Sequence, residues 1–163
     1  MSDWFEVIGA TVAAEFADIP DLAEFTRISV RLLLASLLGG LLGLERESKG
    51  KAAGVRTYML VAVGSALFVM IPLQAGASNE DLSRIIQGVV TGIGFLGAGT
   101  IIKNRTEENV QGLTTAAGIW LTAAIGIAVG LGRESTAVLS TLLALVIFML
   151  IPHPSQERDK HNA

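Results

Sequence analysis

The sequence predicts an all-α fold, a polytopic transmembrane bundle of about five membrane-spanning helices with a short N-terminal interfacial helix. Three observations predict it. Apolar residues make up 51% of the 163 residues and charged residues only 17%, whereas soluble domains average about 25% charged. The charges gather in short clusters separated by long uncharged runs. Glycine, with 18 copies, recurs mostly inside those runs.

The elements follow in chain order. Trp4, Phe5, Ile8 and Val12 recur at roughly helical spacing among Glu6, Glu15 and Asp18, the pattern of a short interfacial helix. Ile19-Pro20-Asp21 interrupts it. Asp21, with Glu24 three residues on, can cap a helix over about 22–45. Within that helix, 28–44 is apolar except for Arg31, whose guanidinium can reach toward the interface. Residues 57–79, 85–102, 109–132 and 135–156 are uncharged runs of ~18 residues or more, enough to cross hydrocarbon as helices. The apolar part of the last ends near residue 152. Buried helices of a soluble protein are the alternative, but these runs and their short connections leave almost no polar face for water. The expected organisation is an extracytoplasmic interfacial segment (1–20), a transmembrane domain (21–152) and a short cytoplasmic tail (153–163). Asp3 and Glu6 stand where a signal peptide would carry basic residues, so no cleavable leader is expected.

Lysine and arginine near span ends set the orientation. Arg46, Lys49, Lys51, Arg56, Lys103, Arg105, Arg158 and Lys160 lie on one side, and Arg27, Arg31, Arg84 and Arg133 on the other. Eight against four puts the C-terminus and both basic loops in the cytoplasm and the N-terminus outside, as five spans require. The net charge of −3 gives no reason to expect a nucleic-acid partner, and the absence of cysteine excludes disulfides and thiolate chemistry. His153 and His161 both fall in the tail, and no hydrolase or metalloprotease motif is present. No carboxylate lies within a span, as a proton relay would need. The chain is expected to be no enzyme and to carry no cofactor, with Mg²⁺ as a ligand or transported ion at most.

In lipid, helices associate through close backbone approach and interhelical polar contacts, because apolar side chains gain little by leaving lipid tails. Gly39 and Gly43, Gly88 and Gly92, and Gly126 and Gly130 are three G-x-x-x-G pairs in three different spans. Arg31, Ala35, Gly39, Gly43 and Glu47 form one line along a helix, with Ser36 and Gly40 beside it. Thr114, Gly118, Thr122, Gly126 and Gly130 form another. Each line is read either as a tight helix contact or as one wall of a polar cavity. These faces also suit self-association, a dimer first, or docking on another membrane protein. Gly92, Gly94, Gly97 and Gly99 fall within eight residues; each disfavours helix by about 1 kcal/mol in water, so a bent or broken third span is expected there. The same glycines spell G-x-G-x-x-G, but inside an uncharged span and without an acidic residue about 20 positions later they do not make a dinucleotide site.

The densest polar signal is Glu45-Arg46-Glu47 followed by Gly54-Val55-Arg56-Thr57. Glu45 and Glu47 are the candidate metal ligands, since Mg²⁺ takes one or two carboxylates and keeps several waters. The alternative is a charged helix end pairing with Arg56 or with lipid headgroups. Thr114, Thr115 and the 92–99 backbone are the candidates for lining an ion path.

Leu32-Leu33-Leu34-Ala35, the run Gly39-Gly40-Leu41-Leu42-Gly43-Leu44-Glu45-Arg46-Glu47, and Ala53-Gly54-Val55-Arg56-Thr57 resemble the MgtC/SapB family of bacterial membrane proteins. So do the glycine-dense segment 92–99, the segment 112–120 from Gly112-Leu113-Thr114-Thr115 to Trp120, and Gly126 to Gly132. The resemblance covers roughly 27–151, with the motifs in register. It implies an inner-membrane protein linked to Mg²⁺ homeostasis, and in some members a restraint on the rotary ATP synthase. The subgroup with that role carries a soluble domain after the last span. Here only residues 152–163 follow.

Overall fold

A computed structural model describes residues 2–15, 21–103 and 110–150. The tail 153–163 and Arg105, Arg158 and Lys160, which carry part of the orientation argument, lie outside the described residues, as does the Ile19-Pro20 break.

Six helices run in order: α1 (Ser2–Glu15), α2 (Leu22–Ser48), α3 (Val55–Gln74), α4 (Asn79–Ala98), α5 (Leu113–Gly130) and α6 (Glu134–Leu150). Between α4 and α5, two-residue strands β1 (Ile102–Lys103) and β2 (Val110–Gln111) pair antiparallel, Ile102 opposite Gln111. α2, α3 and α5 are each long and apolar enough to cross a membrane, and α6 is a shorter apolar helix. α4 opens with Glu80, Asp81 and Arg84, so only its later turns are uncharged.

Local chemistry explains the boundaries. The Asp21 side chain accepts the Glu24 amide (2.7 Å) and starts α2, as expected, while the Glu24 carboxylate turns away to accept from Gln74 Nε2 (3.0 Å). α2 runs one turn past the expected end, to Ser48. Ser78 and Asp81 form a reciprocal capping box at α4. α5 starts at Gly112, which has φ +93° and sits where a side chain would overlap the Thr100 carbonyl.

α5 reads apolar all round because it is enclosed: ten of its residues, from Thr115 to Gly130, are buried. It packs against α2, α3, α4 and α6. α3 lies between α2 and α5 and receives both small-residue lines. On the α2 side, a side chain at Gly39 would stand 2.6 Å from the Tyr58 carbonyl, and one at Gly43 would stand 2.5 Å from Val55 Cα. On the α5 side, Gly126 faces the Ala62 backbone and Gly130 stands 2.6 Å from the Ala66 carbonyl by the same measure. The two lines meet each other only at one end, where Arg31 Nη1 donates to the Gly130 carbonyl (3.2 Å), and their glycines enclose no cavity between them. Each is used up in backbone-close contact with α3. The Thr122 hydroxyl donates to the carbonyl of Gly118 (2.8 Å) in its own helix, as Thr141 does to Ala137 (2.9 Å).

Two expectations are corrected. The glycine-dense segment does not interrupt the helix: α4 is continuous through Gly92, Gly94 and Gly97 and ends at Gly99, the last of the four. Each unpaired amide would lose more in hydrocarbon than glycine's weak helix propensity costs. The helix expected over 85–102 runs instead over Asn79–Ala98, not to Ile102. Among the described residues, Gly88 and Gly92 pack against no other element; nothing beyond their own helix lies within 4 Å of where their side chains would be. α4 buries only Leu82 and Gly97. α1 is exposed at every residue from Trp4 to Glu15, consistent with a helix whose apolar side chains meet lipid.

Candidate functional site at the end of the second helix

The last turns of α2 carry two buried charged residues. Glu45 is 7% exposed and Arg46 4%. Neighbours in a helix point about 100° apart, yet Arg46 Nε donates to Glu45 Oε2 at 2.5 Å. The Arg46 guanidinium also lies over the Phe148 ring of α6, 3.9 Å from its centroid. Both groups are out of water, so each offsets part of the other's desolvation cost.

Tyr58 closes the cluster from α3. It is fully buried, and its hydroxyl occupies the place a side chain at Gly118 would need, with the Phe148 ring beside it. Glu45 and Arg46 are its charged neighbours. The cluster thus joins α2, α3, α5 and α6. Two of its polar atoms, Glu45 Oε1 and the Tyr58 hydroxyl, are buried with no hydrogen-bond partner among the described residues. Buried orphans of this kind are rare and call for a missing partner such as water or an ion.

Glu47 has a different role. Its Oε2 accepts the Val55 amide (2.9 Å) at the start of α3. Gly54, the N-cap residue, has no side chain to do this, and any side chain there would overlap the Glu47 carboxylate. α2 therefore caps α3 across the connecting loop. The two candidate ligands have separate partners, Glu45 inside and Glu47 at the surface. Among the described residues no three acidic or histidine side chains group as a metal site.

The other expected residues divide. Arg56 is exposed and Thr57 half-buried at the same end. Thr115 is buried and Thr114 half-buried in the first turn of α5. Gly97 lies against Ala116, while Gly94 is open and Gly99 touches only its own helix. Arg31 belongs to the far end, about 21 Å from Glu45 at 1.5 Å per residue. There its Nη1 donates to the Gly130 carbonyl (3.2 Å) and its Nε stands 3.5 Å from Glu134. Sequence reasoning missed Tyr58 and Phe148. Tyr58 is the chain's single tyrosine, four residues after Gly54 and four before Ala62, and that isolation was its available signal.

A profile described as the MgtC family matches residues 32–156. The chain belongs to the MgtC family. Among curated relatives it is similar to Protein SrpB of Synechococcus elongatus, 48% identical over 134 residues, 76% of this chain and 74% of SrpB. It is 42% identical over 149 residues to the putative magnesium transporter YhiD of Escherichia coli, covering 85% of this chain and 67% of YhiD. Protein MgtC of Salmonella typhimurium is 42% identical over 127 residues, 78% of this chain but only 53% of MgtC. No solved structure matches the chain. The match to the family starts at Leu32 and takes in the whole Glu45–Arg46–Tyr58–Phe148 cluster.

Proposed function

We propose that this protein serves Mg²⁺ homeostasis in the bacterial inner membrane, as a cation-responsive regulator whose responsive element is the cytoplasmic end of α2. The observation that carries this reading is Glu45 Oε1, a buried carboxylate oxygen without a hydrogen-bond partner among the described residues, two residues from an exposed second carboxylate, Glu47. Mg²⁺ asks for one or two carboxylates and several waters, and this pair can supply them once one side chain turns toward the other, since residues two apart in a helix do not face each other. The ion would draw Glu47 off the Val55 amide and compete with Arg46 for Glu45. Release of the α3 cap would then transmit the binding event to the helix on which α2 and α5 both pack. The family membership and the printed name of YhiD support the choice of Mg²⁺. The cytoplasmic placement rests on the basic-residue asymmetry.

The test is hydrogen exchange at Val55 and neighbouring amides, with the purified protein in detergent and Mg²⁺ titrated against Ca²⁺. Faster exchange at Val55 that saturates with Mg²⁺ and disappears in Glu47→Gln supports the reading. Exchange indifferent to Mg²⁺ overturns it.

The second reading is conduction. The α5 line, as one wall of a polar cavity, does not favour it, because Gly118, Gly126 and Gly130 are filled by α3 and the Thr122 hydroxyl is satisfied in its own helix. Mg²⁺ flux into liposomes containing only this protein would restore it. A regulator must also act on something. The open Gly88–Gly92 face of α4 favours a second copy or another membrane complex, such as the F-type ATP synthase, as the recipient. The chain needs no catalytic residue for this role and we assign none.

A further inference from the structure

At the end of the bundle opposite Glu45, the start of α2, the end of α3 and the residue after α5 enclose a cleft of about 680 Å³. One part of its wall is polar: Asp21, Glu24, Arg27, Arg31 and Gln74. The other is apolar: Ile28, Met70, Leu73 and Leu131. Two carboxylates and two guanidiniums make the polar part neutral overall but strongly dipolar. Asp21, Glu24, Arg27 and Arg31 follow at helical spacing, so they share one face of α2 and descend it in that order. The carboxylates come first along α2 and the guanidiniums follow, with the Glu24 and Arg31 side chains mostly buried and Arg27 exposed.

The more buried guanidinium is incompletely satisfied. Arg31 uses Nη1 on the Gly130 carbonyl, but its Nε is buried without a hydrogen-bond acceptor among the described residues, the Glu134 carboxylate standing off at 3.5 Å. Arg27 is more than half exposed and held only by Glu24 in its own helix. Both retain donors for an anion. The Glu24 carboxylate, paired with Arg27 and Gln74, and the Asp21 carboxylate, which caps Glu24, form an acidic edge beside them toward the start of α2.

We propose that this cleft binds the headgroup of an aminophospholipid. The phosphate would accept from Arg27 and Arg31 Nε, the primary ammonium would donate to the Asp21–Glu24 edge, and the first part of an acyl chain would lie along Ile28, Leu73 and Leu131. Three features select this class. Opposite charges stacked along one helix face match a phosphate joined to an amine, where a plain anion would meet the carboxylates and a plain cation the guanidiniums. The apolar wall gives a purpose to a hydrocarbon chain that a soluble zwitterion lacks. The cleft opens where α2 and α3 reach the membrane boundary, at headgroup level. The exoplasmic leaflet follows if the Glu45 end is cytoplasmic; the ligand class does not depend on it.

Native mass spectrometry tests the proposal. The whole protein in detergent is offered phosphatidylethanolamine, phosphatidylcholine and phosphatidylglycerol with matched chains. A quaternary ammonium has no N–H to donate and the glycerol headgroup has no cation, so the ethanolamine lipid should be retained about five-fold over either, the ratio that roughly 1 kcal/mol of charge-assisted hydrogen bonding yields. Arg27→Gln should remove most of that preference. Arg84→Gln, which breaks only the exposed Glu80 pair on α4, should leave it unchanged. Equal retention of the three lipids, selection of the glycerol lipid, or an Arg27→Gln variant with undiminished preference would each overturn the proposal. Soluble phosphoethanolamine competing as well as the intact lipid would overturn the lipid assignment.

Discussion

α5 and α4 both carry glycines four residues apart, and they use them in opposite ways. Gly126 and Gly130 of α5 are pressed onto the backbone of α3 at Ala62 and Ala66. Gly88 and Gly92 of α4 face an apolar groove of about 540 Å³, whose α3 wall is Leu60, Gly64, Ser65 and Phe68. The facing residue makes the difference. Alanine lets a glycine reach backbone, while on the α4 side Leu60 and Phe68 stay exposed and no described residue closes on Gly88 or Gly92. A G-x-x-x-G motif is therefore half of a contact, and its partner decides whether it closes.

Substitution breaks this comparison most directly. Gly126→Leu drives a side chain into the Ala62 carbonyl and should destabilise by about 3 kcal/mol or more, seen as a large fall in the thermal unfolding midpoint in detergent. Gly92→Leu should leave that midpoint nearly unchanged. A similar fall for both would refute the distinction. Next in size is the buried pair. Glu45→Gln strands Arg46 and should cost about 3 kcal/mol, while Glu45→Gln combined with Arg46→Gln should recover part of that loss, as chemical denaturation can measure. Gly54→Ala displaces Glu47 and should cost about 1 kcal/mol, the typical value of a helix cap. Glu47→Gln should cost less, because an amide oxygen still accepts from Val55. The smallest effect is the most informative in sign. Tyr58→Phe removes a buried hydroxyl that has no partner among the described residues. It should be neutral or slightly stabilising if nothing occupies the site and destabilising by about 1 kcal/mol if a water or ion does.

Much of the bundle was legible. Uncharged runs marked the helices, Asp21 the start of α2, and the four-residue spacing of small residues the packing lines. The surface receiving those lines was not legible, because Ala62 and Ala66 are ordinary residues in an apolar run and only the fold shows both sides of α3 occupied. The helical course of α4 was misread for a related reason: propensities measured in water understate the need to pair every amide in hydrocarbon. At the candidate site, Glu45, Arg46 and Glu47 stood out as charges at a span boundary. Their separate roles depend on burial and on the loop that returns Val55 to Glu47. Phe148 is one apolar residue in an uncharged run, and its place over Arg46 follows only from α6 lying beside α2.

The approach of Gly112 to the Thr100 carbonyl, with the Ile102–Gln111 pairing beside it, fastens the two ends of the α4–α5 connection to each other. A polypeptide spliced in between Lys103 and Val110 would thus hang from an already closed base, and lengthening a closed loop costs little additional entropy. That makes the connection a graft point. A fluorescent or enzymatic reporter placed there would leave the helices in register and disclose which face of the membrane the connection occupies.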